Sequence, residues 1–212
     1  MTENKQSSNL DRWLKKNINL GSKGAAAENS KTPKKGGKSK FFRFGSKTRK
    51  NQKHLKVLFL GGLNEIGGKN MMALEYDNDI MVIDMGLQFP EAEMLGVDYV
   101  VPDSSYLEQN VNKIRGLVIT HAHLDHIGAI SYLAPRLNNP PFFGTKLSMG
   151  FVENQLKEHK LHKKVNTNVV EPKQVFKLGV FKITLFRVNH SIPDAVGAIV
   201  ETPDGVVVHT GD

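Results

Sequence analysis

The chain has 212 residues, 39% of them hydrophobic, with 29 Lys and Arg against 21 Asp and Glu and a formal net charge of +8. That length accommodates one substantial domain, and the absence of cysteine excludes disulfides and thiolate ligands, so nitrogen and oxygen must hold any metal. No stretch approaches the ~20 consecutive apolar residues that cross a bilayer, and the amino terminus lacks the apolar run of a signal peptide, so a cytoplasmic setting is expected.

Residues 1–50 hold 14 of the 29 cations and only Glu3, Asp11 and Glu28 of the acids, so the excess positive charge belongs to this segment. Residues 21–53 are rich in Lys, Gly, Ser and Asn and too poor in large apolar side chains to offset the entropy of ordering. A disordered basic tail is expected over residues 1–54 and a folded domain over 55–212. Within the tail Leu10, Trp13, Leu14 and Ile18 fall at helical spacing beside Arg12, Lys15 and Lys16. That pattern suits a short amphipathic helix on a membrane surface or an acidic partner, and equally a transient helix without one. Phe41, Phe42 and Phe44 among lysines suit stacking on single-stranded nucleic acid, or a solvated linker.

From residue 55 the texture changes to short β-branched runs between turn residues. Strands are expected over 55–60, 71–76 and 80–84, the last two joined by a turn at Asp77, Asn78 and Asp79. The glycines of 61–68 precede an alternating strand rather than a helix, so they read as a turn or bulge in a hairpin and not as a phosphate cradle. Residues 116–120 read as a buried strand. One helix is expected after His126, through Ile127, Ile130 and Leu133 toward Pro135, and a second from Ser148 to about Leu161. Further strands are expected over 175–178, 181–188, 196–201 and 206–210. Hairpins first, then helices inserted between strands, predict an α+β layered domain rather than strict βαβ alternation.

The strand at 116–120 runs directly into His121, His123, Asp125 and His126, four potential ligands within six residues. In extended chain, residues two apart face the same way, so His121 and His123 can reach one metal while the following turn into a helix aims Asp125 and His126 at a second. The alternative is that Asp125 caps the helix and the histidines are merely exposed. A binuclear site needs more donors, and His190 and Asp212 stand at the ends of the strands at 181–188 and 206–210. Taken alone, either residue can be an ordinary loop residue. His54, His159 and His162 lie among lysines and are expected to be solvated, while alternation points His209 away from the partners of Asp212.

The order Val82-Ile83-Asp84-Met85-Gly86, the 121–126 run, His190, and then His209-Thr210-Gly211-Asp212 resembles the successive motifs of the metallo-β-lactamase superfamily. More specific are Gly61-Gly62-Leu63-Asn64-Glu65-Ile66-Gly67-Gly68-Lys69-Asn70-Met71, Phe89-Pro90-Glu91 with Met94-Leu95-Gly96-Val97-Asp98, Val101-Pro102-Asp103, and Asn189-His190-Ser191-Ile192-Pro193-Asp194. Those segments resemble the bacterial ribonuclease J family, of the beta-CASP group. The resemblance implies an αββα sandwich, incomplete here, since the family continues through the rest of this domain, an inserted beta-CASP domain and a carboxy-terminal domain. It implies that His121, His123 and His190 hold one metal, that Asp125 and His126 hold a second, and that Asp212 bridges them, with Asp84 orienting ligands. Asp125, His126 and Asp212 are then expected at the catalytic centre.

The implied cofactors are two divalent ions, zinc or manganese. The implied reaction is hydrolysis of single-stranded RNA, from a 5′ end or internally, by a metal-bound hydroxide. The full-length protein is expected to form a homo-oligomer. A further histidine ligand and the strands completing the second sheet are expected beyond Asp212, so weak activity and an exposed apolar face are expected of these residues alone. Two rival readings stand beside this one. The first is another hydrolase of the same fold, acting on thioesters, lactams or DNA. The second is a non-catalytic RNA-binding protein that works through its basic tail.

Overall fold

The computed structural model describes residues 53–63 and 66–212. The expectations for the basic tail, including its amphipathic helix and its phenylalanine cluster, lie outside the described residues. Among the described residues ten strands form two sheets. The first has the order β1 (Lys56–Gly61), β2 (Met71–Tyr76), β3 (Asp79–Ile83), β4 (Ile114–Val118), β5 (Phe142–Gly144) and β6 (Thr167–Val169). β1, β2 and β3 pair antiparallel, and β3 through β6 pair parallel. The second sheet runs β10 (Gly205–His209), β9 (Val196–Thr202), β8 (Phe181–Arg187), β7 (Val175–Leu178), all antiparallel.

Period-two alternation splits the core. Met71, Ala73, Ile80, Val82, Leu117 and Ile119 face one way, and Met72, Leu74, Met81, Ile83 and Val118 the other. The first set packs with the buried apolar residues of the helices α1 (Ser105–Glu108), α2 (Leu124–Ile127), α3 (Ile130–Leu133) and α4 (Lys146–Glu158). The second set packs with Phe181, Ile183, Leu185, Val196, Ala198 and Val200 of the second sheet. The layers are therefore helices, sheet and sheet, and the described residues place no helix on the outer side of the second sheet. Val206 and Val208 of β10 are exposed. These layers agree with the α+β sandwich that the resemblance implies.

Most strands fall within a residue or two of the positions expected. The glycine-rich segment enters through a register shift between Phe59 and Gly61 in the β1–β2 hairpin, the bulge that was expected. The helices differ more. The first begins at Leu124, ahead of Asp125 and His126 rather than after them, and it is interrupted at Gly128 and Ala129, where the Ala129 amide donates to Met85 O at 3.0 Å instead of to the preceding turn. The second runs over Lys146–Glu158, not from Ser148 to Leu161. Lys160 adopts a left-handed conformation, with Leu161 N donating to Leu156 O at 2.7 Å and Lys160 N to Lys157 O at 3.0 Å. This Schellman stop uses lysine where glycine is usual, so composition did not signal it. α1, β5 and β6 were not anticipated; each is four residues or fewer, too short for periodicity to register.

Candidate metal centre

The carboxyl ends of β3, β4, β8 and β10 converge. β3 and β4 are parallel neighbours, and β8 and β10 both run antiparallel to the β9 between them, so each pair delivers the residues that follow it to one end of its sheet. The Val196 amide donates to Thr120 O at 3.0 Å, joining the two sheets at that end. Asp84, the 121–126 run, His190 and Asp212 follow these four strands in turn.

His123 Nδ1 lies 3.0 Å from His121 Nε2 and 3.1 Å from His190 Nε2. These three residues form one group whose ligand atoms all lie within 4.8 Å, and His121, His126 and Asp212 form another. Asp212 Oδ2 is 3.2 Å from His126 Nε2, 3.8 Å from His190 Nε2 and 4.0 Å from His121 Nε2, so it stands within reach of both groups. Asp125 belongs to neither group, but its Oδ2 lies 3.4 Å from His126 Nε2. Every site residue singled out in the sequence is thus brought to one place.

Two carboxylate and hydroxyl contacts set the ring orientations. Asp84 sits at φ +60°, a conformation that Asp tolerates better than most residues, and its carboxylate accepts from Thr120 N and Thr120 Oγ1, both at 2.8 Å. The same carboxylate lies 2.7 Å from His126 Nδ1, and Thr120 Oγ1 lies 3.0 Å from His121 Nδ1. Both rings therefore turn their Nε2 atoms toward the cluster. Asn70, not singled out as a site residue, donates through Nδ2 to Asp125 Oδ2 at 3.0 Å and lies 3.2 Å from His126 Nε2. Its place directly after the glycine-rich turn was the available signal. Gly86 permits the approach of the supporting loops: a Cβ there would lie 1.5 Å from Asp125 O. Around it Asn70 N, Met85 N and Leu87 N donate to the carbonyls of Asp125, His126 and Leu124 at 2.8, 2.7 and 3.1 Å, fixing α2 by its backbone.

Burial pushes the His121 imidazole down to about 4, helped by the charge of His126, so at neutral pH its lone pair is free. Burial also works against charge on His126, but the carboxylates of Asp84, Asp125 and Asp212 outweigh it and push that residue up to about 10. The hydrogen bond with His126 holds the Asp125 carboxyl below the usual carboxylate range. A field that retains a proton so firmly also favours a divalent cation in its place.

The donors fit such ions. In a tetrahedral zinc site with Zn–N of ~2.0–2.1 Å, nitrogens stand about 3.3 Å apart, close to the separations around His123 Nδ1. The cluster is compatible with metal binding by nitrogen and oxygen.

His209 requires a correction. It lines the same cleft as Asp84, His126 and Asp212, a space of about 220 Å³, and its Nδ1 accepts from Gly211 N at 3.2 Å. Alternation had pointed it away, but β10 ends at His209 and Gly211 turns at φ +65°, so strand periodicity does not carry through to Asp212. His54, His159 and His162 are exposed as expected, and the His159 ring meets Tyr132 edge-on at 5.6 Å.

A family model described as the metallo-beta-lactamase superfamily matches residues 65–212. The chain belongs to that superfamily. It is 43% identical over 159 residues to Ribonuclease J of Synechocystis, covering 74% of this chain and 25% of that protein. It is 40% identical over 164 residues to Ribonuclease J2 of Bacillus subtilis, covering 77% of this chain and 29% of that protein. The superfamily chain therefore spans about a quarter of the length of these relatives, and the resemblance seen in its motifs extends across most of its own. The metallo-beta-lactamase fold protein YhfI from Bacillus subtilis superimposes with a TM-score of 0.54 at 19% identity, covering 75% of this chain and 63% of that one, a likeness of fold alone.

Proposed function

We propose that this chain carries the metal-binding half of a ribonuclease active site that hydrolyses phosphodiester bonds of single-stranded RNA. The observation that carries the reading is the pair of donor groups sharing His121, one with His123 and His190 and one with His126 and Asp212. In the proposed assignment His121, His123 and His190 would hold one divalent ion, Asp125 and His126 would hold a second, and Asp212 would be shared between the two. Zinc suits this nitrogen-rich set, and manganese is the other candidate. Two bound ions would supply an activated water and neutralise the attacking and leaving oxygens of the phosphodiester.

The protein's own residues do the rest. Asp84 and Thr120 hold the rings of His126 and His121 with Nε2 inward, and Asn70 steadies the Asp125 carboxylate. The relatives named ribonuclease J direct the choice of RNA over other substrates of the superfamily. Cleavage from a 5′ end and internal cleavage both belong to the proposal, as do homo-oligomerisation of the full-length protein and contacts of the basic tail with RNA or an acidic partner. No helix among the described residues is long and apolar enough to cross a membrane, and the cytoplasm is the proposed setting.

The test uses 5′-labelled single-stranded RNA and the full-length protein with His121→Ala and His123→Ala together. Loss of cleavage and of bound metal, with RNA binding retained, is expected. Undiminished cleavage would show that the site is elsewhere.

A further inference from the structure

A groove of about 720 Å³ runs between the first turns of α4 and the connection from β8 to β9, the connection that carries His190. Leu147, Phe151 and Pro193 give it an apolar lining, and Lys146, Asn154 and Arg187 add polar groups. Phe151 is 50% exposed, a large ring left half in water. We infer that this groove binds a single-stranded stretch of RNA on its way to the His/Asp cluster, with a base stacked on Phe151 and phosphates held by Lys146 and Arg187. The inference rests on the ribonuclease reading and adds a place for substrate outside the metal cleft.

Three observations support it. First, the groove is tied together. Thr145 Oγ1 donates to Asp194 O at 3.0 Å, and the Asp194 carboxylate accepts from Leu147 N at 3.3 Å and from Arg187 Nη1 at 2.8 Å. These bonds hold the His190 connection against α4, so the groove is preformed. Second, its charge suits an anion. Lys146 and Arg187 line it with a single carboxylate, Asp194, whose oxygens accept from Arg187 Nη1 and Leu147 N, on a domain that is otherwise slightly acidic once the basic first 50 residues are set aside. Third, it is built on the connection that carries His190. Arg187 and Pro193 flank His190 three residues away on either side, and His190 Nε2 lies 3.1 Å from His123 Nδ1. A half-exposed aromatic ring between cations is the recurring platform for single-stranded nucleic acid, and stacking one base on it is worth roughly tenfold in affinity.

Photocrosslinking of the 212-residue chain with an oligoribonucleotide of about ten nucleotides carrying 5-iodouridine, followed by peptide mapping, reports position rather than total affinity. It therefore separates the groove from the cationic first 50 residues. Label on Phe151 is expected, retained in Phe151→Trp and lost in Phe151→Ala, with zinc content unchanged as the control for folding. Label confined to the cleft around His126 and Asp212, with none on Phe151, would overturn the groove while leaving the ribonuclease reading intact. An absence of label from both cleft and groove would overturn both. A change of sedimentation in Phe151→Ala, with no label on Phe151 in the parent chain, would make the groove a contact between protein copies and overturn the inference.

Discussion

Asp84 occupies a position where a single oxygen atom decides the orientation of a ring. Its carboxylate takes both the amide and the hydroxyl of Thr120 and faces His126 Nδ1, so Asp84→Asn replaces one acceptor by a donor aimed at Thr120 or His126. The expected result is a drop of about 10- to 100-fold in metal affinity, read by competition with a chromophoric chelator; unchanged affinity would remove Asp84 from its orienting role. The histidines also predict how stability of the metal-free chain depends on pH. His121 titrates at about 4 in the fold against 6.5 when free, so the unfolded chain takes the proton first and stability falls as pH drops from 6.5 toward 4. His126 titrates at about 10, so its contribution is complete below 6.5 and is lost as pH rises through 10. Urea unfolding across this range should show a maximum near pH 6.5; a stability that climbs steadily from pH 6.5 to 9 would contradict the charged state assigned to His126.

At the scale of elements, one side chain couples the two sheets at the end opposite the metal cluster. Asp79, at the start of β3, accepts from Arg115 Nε at 2.5 Å and from the Val180 amide at 2.8 Å, in the turn between β7 and β8. Asp79→Ala removes both bonds and, with the Val180 amide open to water, is expected to cost about 0.5–1.5 kcal/mol. Urea denaturation checks this, and a midpoint equal to that of the parent chain would show that the coupling carries no stability. The elements also show where sequence reading succeeds. Residues 80–84 and 181–188 were legible as strands because β-branched and aromatic residues recur between turn residues. The breaks at Gly128 and Lys160 were not, because their causes are an amide captured by Met85 and a left-handed lysine, both set by neighbours in space.

For the whole molecule, metal and fold are expected to be linked, since a site assembled from four strand ends does not exist in the unfolded chain. Zinc at a hundredfold excess over its dissociation constant should stabilise the native state by about 2.7 kcal/mol. Scanning calorimetry with zinc and then with a chelator tests this, and a melting temperature indifferent to both would argue against a metal shared across the two sheets. The sequence by itself determined the chemistry available: no thiolates, four donors packed behind one strand, and motifs that resemble a single superfamily. Local spacing was enough there because His121 and His123 lie two residues apart in extended chain, where geometry is dictated by the backbone. Only the tertiary structure decided how His190 and Asp212, implied by the resemblance alone, reach the cluster, that Asn70 supports it, and that His209 shares its cleft. Those residues lie up to 142 positions apart, as Asn70 does from Asp212. They meet because parallel pairing in one sheet and antiparallel pairing in the other bring four strand ends to the same edge. Such convergence depends on the packing of two apolar faces, and no local pattern of residues records it.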